Sequence, residues 1–210
     1  MLKQRFGTPY LHYPVLPIGA YECRRFLQKV AEYAGLDMSP VTRYIQQEEK
    51  GFYYYLERAA ELLTHYNGTF PERFFIIADS MYTLGISRFL FNDLGLLPGN
   101  QYIIDNPSSK YRKSIESQFS LPVKENTFQV VFAEEPADIR ERIEQQIGER
   151  TPLILGSSWD AEIASQLGGY FLGISAPVSG RLVLDRSYAG YRGGLRLAED
   201  IYSTILSDSF

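Results

Sequence analysis

Phe74-Phe75-Ile76-Ile77-Ala78, followed at once by Asp79-Ser80, is the stretch that decides the fold. Five consecutive apolar residues are too few for a stable helix and match a strand buried on both faces. The turn formers Asn67, Gly68 and Pro71 precede it, and a helical pattern over 81–94, stopped by Gly95, follows it. The same alternation repeats downstream. Tyr102-Ile103-Ile104, Phe128-Gln129-Val130-Val131-Phe132, Leu153-Ile154-Leu155 and Tyr170-Phe171-Leu172-Gly173-Ile174 read as strands. Helical patterns over 108–119, 137–147 and 159–167 separate them. Strands without inside–outside alternation, joined by helices, predict a parallel sheet covered on both sides. The expected fold is α/β, a doubly wound Rossmann-like parallel sheet of about five strands near 74–78, 101–105, 128–132, 152–156 and 170–174. A central first strand gives the order 3-2-1-4-5.

Outward from this core the ends are helical. Residues 20–34 place Cys23, Phe26, Leu27, Val30 and Ala34 on one stripe, closed by Gly35. Ser39-Pro40 opens a second helix running to about 66, and residues 193–206 form a last helix with Leu195, Ala198, Ile201, Tyr202 and Ile205 facing inward. The chain therefore divides into a mainly helical N-terminal extension, 1–69, packed on a Rossmann-like α/β domain, 70–210.

Composition narrows the function. The chain has 210 residues, 45% hydrophobic and 22% charged, with a net charge of −4. Scattered basic residues under a negative total argue against nucleic acid as partner. A single cysteine, Cys23, and two histidines, His12 and His65, leave no disulfide framework and no self-contained zinc or cysteine-cluster site. Without a membrane-length apolar run or a hydrophobic leader in Met1-Leu-Lys-Gln-Arg-Phe-Gly7, a soluble cytoplasmic chain is expected.

In an open α/β sheet a ligand meets the carboxyl ends of the strands. Those ends read Ala78-Asp79-Ser80, Asp105-Asn106-Pro107, Glu134-Glu135-Pro136 and Gly156-Ser157-Ser158-Trp159-Asp160. No glycine-rich dinucleotide pattern or phosphate loop is present. Asp79, Asp105, Glu134 and Asp160 would oppose a pyrophosphate at the helix N-termini. Two readings stand side by side. Asp79 and Asn106 suit helix caps, Pro107 and Pro136 suit first helical positions, and Ser157 with Asp160 suits a capping box. Alternatively, Asp79, Asn106, Ser157, Ser158 and Ser175 form a polar rim that seats a cofactor or partner. Elsewhere, Cys23 reads as a small core residue, and His12 lies in extended chain. Phe52, Tyr53, Tyr54 and Tyr55 are consecutive on a helix, so they cannot all face one core; a protein interface is the expected use. The run Tyr188-Ala-Gly-Tyr-Arg-Gly-Gly194 implies close backbone approach before the last helix.

Taken in order, several segments resemble the nitrogenase component 1 family, specifically the C-terminal part of its β-type subunit. Pro14-Val-Leu-Pro-Ile-Gly-Ala20 and the helix with Phe26-Leu27 are similar to that family's proline-rich approach to a helix. Arg73 to Asp79 and the helix through Phe89-Leu90 are similar to the first strand and helix of its third domain. Leu155-Gly-Ser-Ser158 resembles its Gly-Asn-Ser turn. Ile174-Ser-Ala-Pro177, Arg181 and Gly190-Tyr-Arg-Gly193 fall where the family has a strand, a proline, an Asp-Arg pair and a Gly-Tyr-x-Gly loop. The resemblance implies a nitrogenase-like oxidoreductase subunit without its cluster-binding domain, a scaffold in a heteromeric iron–sulfur reductase. The histidine that holds the metal cofactor in the catalytic, α-type subunit corresponds to about Ser175. Hence neither catalysis nor cofactor binding is expected of this chain alone, the cluster being expected only in the intact complex. The implied partners are an α-type subunit and an ATP-dependent reductase; in isolation the aromatic helix would give a homodimer. The alternatives are a structural interaction module and a free-standing small-ligand-binding domain, since fold alone does not settle function.

Overall fold

The computed structural model describes residues 2–63, 70–119, 128–133, 136–180 and 185–207. A short helix, α1 (Leu2–Phe6), is followed by α2 (Gly19–Ala34) and α3 (Met38–Leu63). The α/β alternation then runs β1 (Arg73–Ala78), α4 (Ser80–Asn92), β2 (Leu97–Ile103), α5 (Ser109–Gln118), β3 (Val130–Phe132), α6 (Pro136–Ile147) and β4 (Leu153–Gly156). A 3-10 turn (Ser158–Asp160) leads into α7 (Ala161–Gln166), then β5 (Tyr170–Gly173) and α8 (Gly190–Ser207). The five strands form one sheet in the order β3-β2-β1-β4-β5, and every pairing is parallel. Fold class, strand order and the helices at both ends agree with the sequence reading.

The winding explains the unbroken apolar runs. Phe74, Ile76 and Ala78 of β1 face one side with Leu153, Leu155 and Leu172, against Ile86, Phe89 and Leu90 of α4 and Leu197, Ile201 and Ile205 of α8. Phe75 and Ile77 face the other side with Tyr102 and Ile154, against Ile139 and Ile143 of α6 and Ile163 of α7. A run with period two would leave one of these layers uncovered. The first layer also takes in Ile18, Ala20, Cys23 and Phe52, so α2 and α3 bury their apolar stripes against the helices and strands of the sheet's own core.

Close approach fixes the packing of α8. A Cβ on Gly194 would lie 2.6 Å from the Cα and 2.7 Å from the amide nitrogen of Gly19, and one on Gly193 would strike the Tyr188 carbonyl. Beside this contact the Gly190 N–H donates to the Pro17 carbonyl at 2.7 Å, and Ile18 bridges Gly190 in parallel. The helix therefore starts at Gly190, three residues before the expected 193, because packing suits the glycines that otherwise read as loop.

Other boundaries differ from expectation for identifiable reasons. β2 begins at Leu97 rather than 101, across Pro98 and Gly99, residues that ordinarily weaken a strand. Here the Pro98 carbonyl accepts from Arg73 Nη1 at 3.1 Å, the ladder slips register between Phe74 and Ile76, and Gly99 leaves room for the Phe75 ring. Asn100 Oδ1 accepts from the Gln129 N–H and from Gln146 Nε2, fastening the strand to its neighbour and to α6. β3 is shorter than the expected 128–132, and the helix after β4 opens as a 3-10 turn. Asn106 is not a helix cap. It takes the left-handed conformation (φ 41°), and the cap of α5 is Ser108, so Pro107 precedes the helix. Pro136 does occupy the first position of α6. Glu134, Glu135, Arg181, Asn67 and Gly68, like the end of the second helix near 66, lie outside the described residues.

A buried polar cluster ties the N-terminal segment to the sheet layer. Glu22 is 0% exposed. Its carboxylate accepts from Tyr13 Oη at 2.6 Å and from Arg88 Nη1 at 2.7 Å, while Arg88 Nη2 donates to the Gln118 carbonyl at 2.8 Å. Three elements thus meet on one paired charge, as a buried carboxylate requires.

Candidate functional site

The chain leaves β1 toward one face of the sheet through α4 and leaves β4 toward the other through α7, so the topological switch point lies between Asp79-Ser80 and Ser157-Ser158. The donors at these helix starts find acceptors within the chain itself. Asp79 Oδ1 accepts from the N–H groups of Met81 and Tyr82, both at 3.0 Å. The neighbouring amide of Ser80 donates to Asp105 Oδ1 at 3.2 Å, and its hydroxyl donates to Asp105 Oδ2 at 2.9 Å. Across the switch point, Asp160 Oδ2 accepts from both the N–H and the Oγ of Ser157 at 2.7 Å, the expected capping box. The Ser158 N–H donates to the Pro177 carbonyl at 2.7 Å, and Ser158 Oγ accepts from the Ser179 N–H at 2.6 Å.

The carboxylates thus occupy the positions an anionic ligand would take at these helix starts. A phosphate arriving here would have to displace Asp79, Asp105 or Asp160 and overcome their charge. Asn106 is drawn to the edge, its Oδ1 accepting from Arg112 Nη2 at 2.9 Å. The Ser175 N–H reaches the Gly156 carbonyl at 3.3 Å, and its buried hydroxyl has no partner among the described residues. Asp79 and Ser157 lie at the adjacent ends of β1 and β4 with the geometry of helix caps, while Ser158 opens the 3-10 turn and holds the Ser179 N–H.

What the sequence reading passed over on this edge is apolar. Trp159 is 81% exposed, and Met81, Ile104 and Tyr111 are also exposed large hydrophobics near the strand ends. Only the helical period of 159–167 was legible. Exposure of the indole follows from the 3-10 turn, which points Asp160 inward and Trp159 out. Between the N-terminal segment, α4 and α5 lies a cleft of ≈ 600 Å³, lined by His12, Tyr13, Met81, Leu84, Tyr111 and Ile115 among others. A second cleft of ≈ 450 Å³, between α2, α3 and the start of α8, is lined by Cys23, Tyr44, Glu48, Tyr191 and Arg192 among others.

The thiol of Cys23 is buried and donates to the Pro17 carbonyl at 3.7 Å; burial pushes its pKa up to about 12. That suppresses the thiolate a metal would need. An iron–sulfur cluster is held by four cysteine ligands as a rule. One cysteine in the whole chain, protonated and facing a carbonyl, does not fit that group. Among the described residues no three His, Cys, Asp or Glu side chains are grouped to hold a metal ion, and no helix is long and apolar enough to cross a membrane. The aromatic run divides: Phe52 is core, 1% exposed, while Tyr53, Tyr54 and Tyr55 are 39%, 53% and 61% exposed. Phe52 is therefore withdrawn as an interface residue, since it packs edge-on against Tyr191 inside the molecule.

A model of the nitrogenase component 1 type oxidoreductases matches residues 1–206. The chain belongs to that family. Among curated proteins it is 26% identical over 184 residues to the B polypeptide of a light-independent protochlorophyllide reductase from Methylobacterium radiotolerans. It is 28% identical over 179 residues to the B polypeptide of the same reductase from a Bradyrhizobium strain. Each alignment covers 84% of this chain and 30% of the relative, so the chain spans about a third of their length. A solved structure described as nitrogenase Cp1 at pH 6.5 superposes with a TM-score of 0.76 over 99% of this chain and 42% of that one. At 20% identity this likeness speaks for the fold.

Proposed function

We propose that the chain acts as the C-terminal, β-type portion of a nitrogenase-like oxidoreductase, a scaffold that completes a heteromeric shell around a cluster held by other polypeptide. The observation that carries this reading is the switch point. In a member of this family the ligand-facing edge of the sheet is closed by its own carboxylates and rimmed by exposed Trp159, Met81 and Ile104. Such an edge suits contact with protein better than capture of a small anion. The similarity to the B polypeptides of two protochlorophyllide reductases supports the β-type assignment. In this reading residues 1–69 pack as a helical extension on the α/β unit 70–210. The partners are an α-type subunit and an ATP-dependent reductase. The setting is cytoplasmic, consistent with a lone reduced cysteine.

Anaerobic purification of the tagged chain from its native cells tests the assignment. The expected result is co-elution, in defined stoichiometry, with a second nitrogenase-like chain and with iron that stays with that partner when the two are separated. Elution of the tagged chain alone, free of iron and of any such partner, would overturn it. Retention of all the iron by this chain would do the same.

A further inference from the structure

We propose that the outer stripe of α3 is a self-complementary surface on which two copies of this chain pair antiparallel about a two-fold axis at Gly51. At 3.6 residues per turn, Tyr44, Gln47, Gly51, Tyr54, Tyr55 and Arg58 fall on one stripe. It lies well round the helix from the buried Ile45 and Phe52. All six stripe residues are exposed, and a Cβ on Gly51 would meet nothing within 4 Å. The stripe is polarised. Its N-terminal half carries the exposed Tyr44 with the Glu48 carboxylate at its flank. Its C-terminal half carries Arg58, whose guanidinium stands 5.6 Å above the Tyr54 ring and 3.1 Å from Glu61.

A two-fold axis through Gly51 brings these unlike halves together. Residues at like height across the dyad sum to about twice 51, and those on the same flank of the helix adjoin, so Arg58 of one copy meets Tyr44 of the other, Tyr54 meets Gln47, and Tyr55 meets Glu48. A cation lies over an aromatic ring, a phenol faces an amide, and a second phenol donates toward a carboxylate. Parallel pairing would instead set Arg58 against Arg58 and Glu48 against Glu48. The bare Gly51 backbone lets the axes close to about 9–10 Å. With Cα atoms about 2.3 Å from each axis, the two Gly51 Cα atoms then lie about 4.4–5.4 Å apart. One helix pair covers less than the ~1,600 Å² of a standard interface, so the pairing is a concentration-dependent equilibrium. It does not rest on the subunit role proposed above: a heteromeric partner can be found while this pairing fails, and the reverse.

The full chain carrying Gly51→Cys tests the register, because a disulfide needs Cα atoms about 4.4–6.8 Å apart. The buried Cys23 serves as internal control. Under mild oxidation the expected result is a disulfide-linked dimer on non-reducing electrophoresis, formed at least about tenfold faster than from Gln46→Cys on the opposite flank of the helix. Adding Tyr54→Ser/Tyr55→Ser to Gly51→Cys should slow linkage by about tenfold, with an unchanged circular dichroism spectrum. Sedimentation of the wild type should move from monomer to dimer as concentration rises. Equal linkage rates for Gly51→Cys and Gln46→Cys would overturn the proposal, as would undiminished linkage in the double-serine background or a wild type monomeric at millimolar concentration.

Discussion

Asp93 shows how a single side chain can couple this molecule to pH. It sits at the end of α4, and its Oδ1 accepts from the N–H groups of Ala20 and Tyr21, both at 3.2 Å, capping α2 from another element. Burial pushes its pKa up to about 7, against the opposing pull of those two amides, with Glu22 and Glu49 adding to the rise. The native state therefore binds this proton more tightly than the unfolded chain, whose carboxyl titrates near ~3.9. By linkage, the contribution is complete below the unfolded value and is lost as pH climbs through about 7. Asp93→Asn keeps an acceptor for the helix amides and removes the titration. Urea unfolding from pH 4 to 8 should show the variant losing less stability than the wild type on that rise, by about 1 kcal/mol or more. A wild type whose stability does not fall relative to the variant across that range would contradict this. Arg88 makes a second point at the same scale. Arg88→Met strands Glu22 as a buried charge without its main counter-ion and should cost about 3–5 kcal/mol in chemical denaturation. Glu22→Leu added to it should recover a large part of that loss.

Two glycines show how differently the same residue works within its element. In α8, Gly194 lies backbone to backbone against Gly19. Gly194→Ala should destabilise by about 2 kcal/mol or more, because neither main chain can yield without moving a helix. In α3, Gly51 stands in open space, and Gly51→Ala should raise the melting temperature, worth about 0.5–1 kcal/mol by helix propensity. Differential scanning calorimetry on both variants tests the pair. Legibility in the sequence follows the same line between local and tertiary causes. The five strands were legible because each contains an apolar run, which in the central β1 and β4 is buried on both faces. Asp79 and the Ser157–Asp160 box were legible because capping depends on spacing alone. The start of β2 across Pro98-Gly99 was not, since it depends on Arg73, Gln129 and Gln146 arriving from other parts of the chain. Nor was the left-handed Asn106, which displaced the expected cap to Ser108. Trp159 was hidden for a related reason: period identifies a helix, but the 3-10 turn before α7 decides which way the indole points.

At the scale of the whole molecule, the chain is a family member whose own donor set does not match the metal chemistry suggested by its resemblance. Reconstitution of the purified 210-residue chain with iron and sulfide under reducing conditions should leave no stable visible absorbance after desalting. A stoichiometric chromophore that survives desalting would show that ligands other than Cys23 serve, and would remove the scaffold reading. The contact of Gly19 with Gly194 and the bridge from Ile18 to Gly190 carry a consequence for biosynthesis. They join parts of the chain more than 170 residues apart, so α2 emerges from a ribosome long before its neighbour α8 exists. Until then one layer of the sheet stays uncovered, with Leu155 and Leu172 open to other proteins. In this chain α8 is a closing piece, and the interval before it docks is when chaperone holding has most to protect.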